Sequence, residues 1–165
     1  MSKSAILEEP KIGQIIRRIA YQIFENNIDT DEIVFVGVDK NGYALGELIG
    51  TELNEINPQV ECAYHFLDMD KSNPKDTLKW RRESPNLEGK KVVLVDDVLN
   101  TGKTMAYCLA ALLDLAPAKI EIAVLVDRGH RTFPVSATFL GYELSTTLED
   151  HIEVNLGKKS VVYLY

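Results

Sequence analysis

Thirteen consecutive residues, Val92-Val93-Leu94-Val95-Asp96-Asp97-Val98-Leu99-Asn100-Thr101-Gly102-Lys103-Thr104, constrain this chain more than any other feature. Val92 to Val95 show no polar alternation, which is the pattern of a strand buried on both faces, and such strands belong to parallel sheets covered by helices. Two adjacent carboxylates follow, then a Thr-Gly-x-Thr turn. Met105, Cys108, Leu109, Leu112 and Leu113 next fall on one helical face, which Pro117 ends. In open parallel sheets ligands sit outside the carboxyl ends of the strands, so the acidic pair and the turn are the first place to seek a site.

The rest of the chain repeats the theme. Ile12, Ile15, Ile16, Ile19 and Ile23 recur at helical spacing with Arg17, Arg18 and Gln22 between them, predicting an amphipathic helix over about 11–26. Ile33 to Val38 reads as a buried strand entering a polar loop, Asp39-Lys40-Asn41-Gly42. Leu45, Leu48, Ile49, Leu53 and Ile56 predict a second helix, and the alternation of Val60, Cys62, Tyr64 and Phe66 with polar or small residues predicts a half-exposed strand. Lys119 to Val126 is another apolar strand. Shorter ones are expected near Phe139 and between Ile152 and Tyr165, with a turn at Gly157-Lys158-Lys159. Alternating strands and helices predict an α/β fold, a mostly parallel central sheet flanked by helices, in one domain over 1–165. That length buries a core without disulfides or a structural metal. The stretch from Asp68 to Lys90, broken by Pro74 and Pro85, has no period and reads as a long loop, of a length that is usually either disordered or functional.

Eighteen Lys and Arg against 25 Asp and Glu give a net charge of −7, which argues against a chain whose main task is to grip nucleic acid or an anionic membrane. No apolar run approaches the ~20 residues of a membrane span, and Met1 to Lys11 lacks the apolar stretch of a secretory signal. Cys62 and Cys108 form no C-x-x-C pattern, so reduced thiols and a cytoplasmic setting are expected. His65, His130 and His151 lie far apart, so no zinc site is expected and any metal should arrive with a substrate.

The chemistry follows from the turn. Free N–H groups at a helix start, with the Thr101 and Thr104 hydroxyls, suit a monophosphate, and Gly102 permits close backbone approach. Asp96 and Asp97 cannot face that phosphate as well, because like charges repel, so they should face neutral hydroxyls. A phosphate cradle beside hydroxyl-binding carboxylates is a site for a ribose 5-phosphate. Gly102-Lys103-Thr104 also resembles the tail of a P-loop, but the position of its first glycine holds Asp97, whose carboxylate would intrude on a triphosphate. A response-regulator receiver fails too, since the acidic pair sits beyond the chain midpoint.

These thirteen residues resemble the phosphoribosyl pyrophosphate signature of the type I phosphoribosyltransferases. The resemblance implies that Asp96 and Asp97 are catalytic-site residues that bind the ribose 2- and 3-hydroxyls, and that Asn100, Thr101, Gly102, Lys103 and Thr104 bind the 5-phosphate. Leu125-Val126-Asp127-Arg128-Gly129-His130-Arg131, then Phe133-Pro134, and Gly141 followed by Thr146 and Thr147, resemble the pyrimidine-operon regulators that double as uracil phosphoribosyltransferases. On that resemblance Val126, Asp127 and Arg128 lie beside the base; the alternative is a structural ion pair between Asp127 and Arg128.

The regulators usually carry Arg-Thr-Arg-Gly as the pyrophosphate loop, where this chain has Asp39, Lys40, Asn41 and Gly42. Lys40 remains as a point charge or is a solvated turn lysine, while Asp39 opposes an anion unless it points away or meets Mg2+. Purine-salvage members often place an acidic residue where Asn100 stands, and an amide cannot act as a carboxylate base. Lys71, Lys75, Lys79, Arg81 and Arg82 with Trp80 make the long loop a candidate closing segment or a solvated one, and that loop with the C-terminal segment is expected to form a small hood. The implied reaction is transfer of phosphoribosyl from phosphoribosyl pyrophosphate to a nucleobase nitrogen, uracil first, with Mg2+ brought by the substrate, in a homodimer. The alternatives are a nucleotide-responsive RNA-binding regulator, which Ser136 and Tyr142 at expected basic positions disfavour, and a phosphoribosyl-binding module with little catalysis.

Overall fold

The isoleucine stripe near the N-terminus needs an apolar surface to cover, and in the computed structural model, which describes residues 2–165, it finds one. Strand β1 (Ser4–Glu8) leads into helix α1 (Lys11–Asn26), which buries Ile12, Ile15, Ile16, Ile19 and Ile23. No side chain caps the start of α1. Its place is set by burial, each isoleucine contributing about 1.5–3 kcal/mol. There follow β2 (Glu32–Val38), α2 (Asp39–Ile56), β3 (Glu61–Asp68), α3 (Pro74–Thr77), β4 (Lys79–Trp80) and β5 (Lys91–Leu99). The chain ends with α4 (Lys103–Leu113), β6 (Lys119–Asp127), β7 (Phe139–Glu143), β8 (Ile152–Asn155) and β9 (Val161–Leu164).

The main sheet has six strands in the order β4-β3-β2-β5-β6-β7, every pairing parallel except β3 with β4. This is the expected α/β architecture. Alternation along the central strands divides the core: Ile33, Phe35, Val93 and Val95 face α1 and α2, while Val34, Val36, Val92 and Leu94 face Met105, Cys108 and Leu112 of α4.

Three expectations are corrected. The hood is a separate antiparallel sheet, β1-β9-β8, made from both ends of the chain. The 68–90 stretch contributes nothing to it; α3 and β4 lie within that stretch, and β4 extends the main sheet past β3. Second, Asp39-Lys40-Asn41-Gly42 is the first turn of α2 rather than a loop. Asp39 takes a left-handed φ of 53°, which short polar side chains tolerate, and so strand passes into helix without a connector. Gly42 permits the approach, since a Cβ there would lie 2.5 Å from the Val95 carbonyl oxygen. Third, β5 runs on to Leu99, which puts the acidic pair inside the strand.

Candidate functional site

Neighbouring residues of a strand project to opposite faces, so Asp96 and Asp97 diverge. Asp96, 2% exposed, lies on the α4 side, where its Oδ1 accepts the Asp97 N–H at 2.9 Å. Asp97 turns to the start of α2: Asn41 Nδ2 donates to its Oδ2 at 2.8 Å and to the Val154 carbonyl at 2.9 Å, tying main sheet to hood. The Val98 N–H donates to Asp97 Oδ1 at 2.8 Å.

Two buried carboxylates this close require a cation. Lys71 supplies it, its Nζ 3.2 Å from both oxygens of Asp96 and 3.8 Å from Asp97 Oδ1. Burial still pushes the Asp96 carboxyl well above the usual carboxylate range, against the pull of Lys71, with Asp97 adding to the rise. Burial opposes the charge on Lys71 as well, but Asp96 and Asp97 outweigh it and raise its ammonium above the ordinary lysine value. Asp39 accepts the Met69 N–H at 3.1 Å, which turns its carboxylate toward the segment carrying Lys71. Burial raises the Asp39 carboxyl too, against that hydrogen bond.

The 100–104 turn is built as its sequence requires, with one addition. Gly102 caps α4 at φ 83°, and Thr101 Oγ accepts the Lys103 N–H at 3.2 Å. The first-turn N–H groups of a helix have no intrahelical acceptor and favour an anion. The addition is a close neighbour: a Cβ on Gly102 would sit 3.1 Å from the Phe133 carbonyl oxygen and 3.3 Å from Val135 Cβ. The Thr132 and Phe133 N–H groups donate to the Thr101 carbonyl at 3.0 Å, so the 132–135 segment braces the turn.

A cleft of about 310 Å³ is lined by Lys71, Asp96, Asn100, Thr101, Gly102, Lys103, Thr104, Arg128 and His151, among others. Asn100 Oδ1 is the one buried side-chain oxygen without a hydrogen-bond partner among the described residues, and a donor on a ligand would satisfy it.

The structure thus brings the 100–104 turn and Asp96 together, and adds Lys71. Asp97 and the Asp39–Gly42 turn adjoin this cleft through Asn41 and Lys71 without lining it. Val126 is fully buried within β6 and does not line the cleft. Asp127 forms an ion pair with Arg131, in place of Arg128, and Arg131 Nη1 also donates to the Asn100 carbonyl at 2.6 Å. Arg128 donates to Thr146 Oγ at 3.1 Å and to the Thr147 and Asp150 carbonyls at 3.2 and 2.6 Å, anchoring the segment before β8. Of the basic residues after β3, Arg81 pairs with Asp68 at 2.9 Å and stacks 3.4 Å from the Phe66 ring, while Lys71 alone reaches the acidic pair. Nothing in the spacing distinguishes Lys71 from Lys75 or Lys79, and the Asn41 and Arg131 ties are tertiary contacts with no local signal.

The cleft therefore combines an anion-favouring helix start, a buried carboxylate and an ammonium group. Asp39, Asp96 and Asp97 offer carboxylate oxygens, the donor type that Mg2+ takes. No helix among the described residues is long and apolar enough to cross a membrane. Residues 2–157 match the phosphoribosyl transferase domain family. The chain is 40% identical over 170 aligned residues to Bifunctional protein PyrR of Fusobacterium nucleatum subsp. nucleatum, covering 96% of each. It is 35% identical over 164 residues to Bifunctional protein PyrR of Bacillus mycoides, covering 93% of this chain and 91% of the relative. The fold is similar to that of a hypoxanthine-guanine phosphoribosyltransferase from Bacillus anthracis, with a TM-score of 0.74 at 17% identity over 87% of this chain and 84% of the other. It is similar as well to the hypoxanthine phosphoribosyltransferase of Trypanosoma cruzi, with a TM-score of 0.73 at 19% identity over 86% and 81% of the two chains.

Proposed function

Because the chain belongs to the phosphoribosyl transferase family, we propose that the cleft binds phosphoribosyl pyrophosphate and that the protein transfers its phosphoribosyl group to a nucleobase nitrogen, releasing pyrophosphate. One observation carries this reading: Asp96, the N-terminal turn of α4 and the unpartnered Asn100 Oδ1 line the same cleft. The 5-phosphate meets the N–H groups of the 101–104 turn and the Thr101 and Thr104 hydroxyls. The ribose hydroxyls donate to the acidic pair, Asp96 directly from the cleft and Asp97 at the side facing α2. The pyrophosphate lies toward the first turn of α2, where Lys40, Asn41 and Gly42 stand at a second helix start.

At C1 the base nitrogen supplies an electron pair as the bond to pyrophosphate breaks, its electrons leaving with the pyrophosphate oxygen, and the base nitrogen then gives up its proton. Bond breaking runs ahead, so the residues serve to orient two reactants and to balance charge. Mg2+ brought with the substrate would supply positive charge to the departing pyrophosphate.

Uracil is the base we favour. The reading rests on the resemblance of the 125–147 segment and on Asn100, whose amide cannot take the part of a carboxylate beside a purine. The hypoxanthine transferases share the fold at 17–19% identity, which says nothing of the base. A base-by-base assay of pyrophosphate release tests both levels. Release fastest with uracil is expected; hypoxanthine or guanine fastest would move the substrate to purines, and no release with any base would overturn the transferase reading. A homodimer in the cytoplasm accords with the same resemblance.

Regulation through RNA is the second reading, favoured by the word bifunctional in the relatives' names. With a net charge of −7 and Ser136 and Tyr142 in place of cations, we expect no submicromolar binding to a pyrimidine-operon leader at physiological salt. Filter binding across salt concentrations checks this, and tight binding with a steep salt slope would put the regulator first.

A further inference from the structure

Lys71 belongs to none of the motifs that carry the family resemblance, yet among the described residues it is the one cation ion-paired with either carboxylate of the acidic pair. We propose that Lys71 is a resident counter-cation of the site, a positioning residue that offsets the charge of the acidic pair, leaves its oxygens to accept from hydroxyls and lowers the divalent-cation requirement for binding phosphoribosyl pyrophosphate. The inference rests on the proposed function of the cleft.

Three observations support it. The ammonium lies 3.2 Å from both oxygens of Asp96, so it neutralises the more deeply buried carboxylate while the oxygens' remaining lone pairs stay free to accept. Its side chain is 44% exposed and lines the cleft, so the positive charge also faces an incoming anion. The two residues just before it are held: Met69 N–H donates to Asp39 Oδ1 at 3.1 Å, and Asp70 N–H to Thr77 Oγ at 2.8 Å. The other cations nearby are committed or distant from the pair. Arg128 is spent on the segment before β8, while Lys40 and Lys103 are exposed and form no ion pair with Asp96 or Asp97.

The test is calorimetric titration of phosphoribosyl pyrophosphate into wild-type protein, Lys71→Met and Lys71→Arg, at micromolar and at millimolar Mg2+. Circular dichroism and thermal melts confirm folding. We expect Lys71→Met to weaken binding by about tenfold or more at low Mg2+, the gap closing as Mg2+ rises, and Lys71→Arg to stay close to wild type. Equal or tighter binding by Lys71→Met at low Mg2+ would show the lysine to be a plug on the acidic pair and would overturn the proposal. A loss of the same size at every Mg2+ concentration, or a variant that fails to fold together with a Lys71→Arg whose Mg2+ dependence differs from wild type, would overturn it as well. If wild-type protein binds no phosphoribosyl pyrophosphate at any Mg2+ level, the reading of the cleft fails and takes this inference with it; wild-type binding with an unaffected Lys71→Met rejects this inference alone.

Discussion

Asp96→Asn is expected to weaken phosphoribosyl pyrophosphate binding by about 10- to 150-fold, the equivalent of one hydrogen bond to a charged group at ~1.5–3 kcal/mol. The free protein should unfold at the wild-type temperature or above it. An amide of the same shape still accepts the Asp97 N–H, and it spares the fold a carboxylate that is 2% exposed beside a second one. Lys71, with its side chain 44% exposed, can turn to water when its partner loses charge. The pH dependence has a definite sign. Burial holds the folded-state pKa of Asp96 above its unfolded value, so the stability linked to this group is present at low pH and is lost as pH rises through the raised range. Wild-type protein should therefore lose stability relative to Asp96→Asn on going from acid toward neutral pH. Melts of both proteins across that range, with calorimetry of the substrate, check the two halves. Unchanged affinity in a folded Asp96→Asn would remove the hydroxyl role.

Gly102→Val should be as damaging, for a different reason. The position needs φ 83°, and a β-branched residue held there costs on the order of 1–3 kcal/mol. A new Cβ would in addition stand 3.1 Å from the Phe133 carbonyl oxygen, pushing the 132–135 brace off the turn. The helix start would move and the phosphate N–H groups with it, so substrate binding should fall by more than about tenfold. Lys103→Ala should lose less than about threefold, because that side chain is exposed and the cradle is made of backbone. Gly102→Ala should fall between the two. Ligand titration of the three folded variants decides it, and a Lys103→Ala defect larger than that of Gly102→Val would restore a P-loop type of phosphate site.

The central sheet was legible because its strands carry uninterrupted apolar runs: Ile33 to Val38, Val92 to Val95 and Ile122 to Val126 have one structural use each. β1 was not, since five residues carry no readable period and its partner is β9, with Ser4 opposite Leu164 at the far end of the chain. The phosphate turn could be read because its hydrogen bonds are local, Thr101 to Lys103. The acidic pair was recognised but its geometry was not: two carboxylates side by side in sequence read as one surface, whereas the strand continues through them and sends them to opposite faces. Asp39 read as part of a loop because its composition is that of a turn, and only the close approach of α2 to β5 shows why a helix starts there. Arg128 and Asp127 were named for the base; Arg128 does line the cleft, and the contacts the sequence did not reveal are those that hold Arg128 to the segment before β8 and Asp127 to Arg131. The Arg128 partners, 18 to 22 residues away, leave no trace in spacing.

The cleft assignment is tested most directly by a crystal structure of the protein with phosphoribosyl pyrophosphate and Mg2+. The expected result is the 5-phosphate within hydrogen-bonding distance of the N–H groups of residues 101–105 and the ribose hydroxyls on the Asp96 and Asp97 carboxylates. A ligand bound elsewhere, or one in this cleft with its pyrophosphate rather than its 5-phosphate on the 101–105 turn, would contradict it.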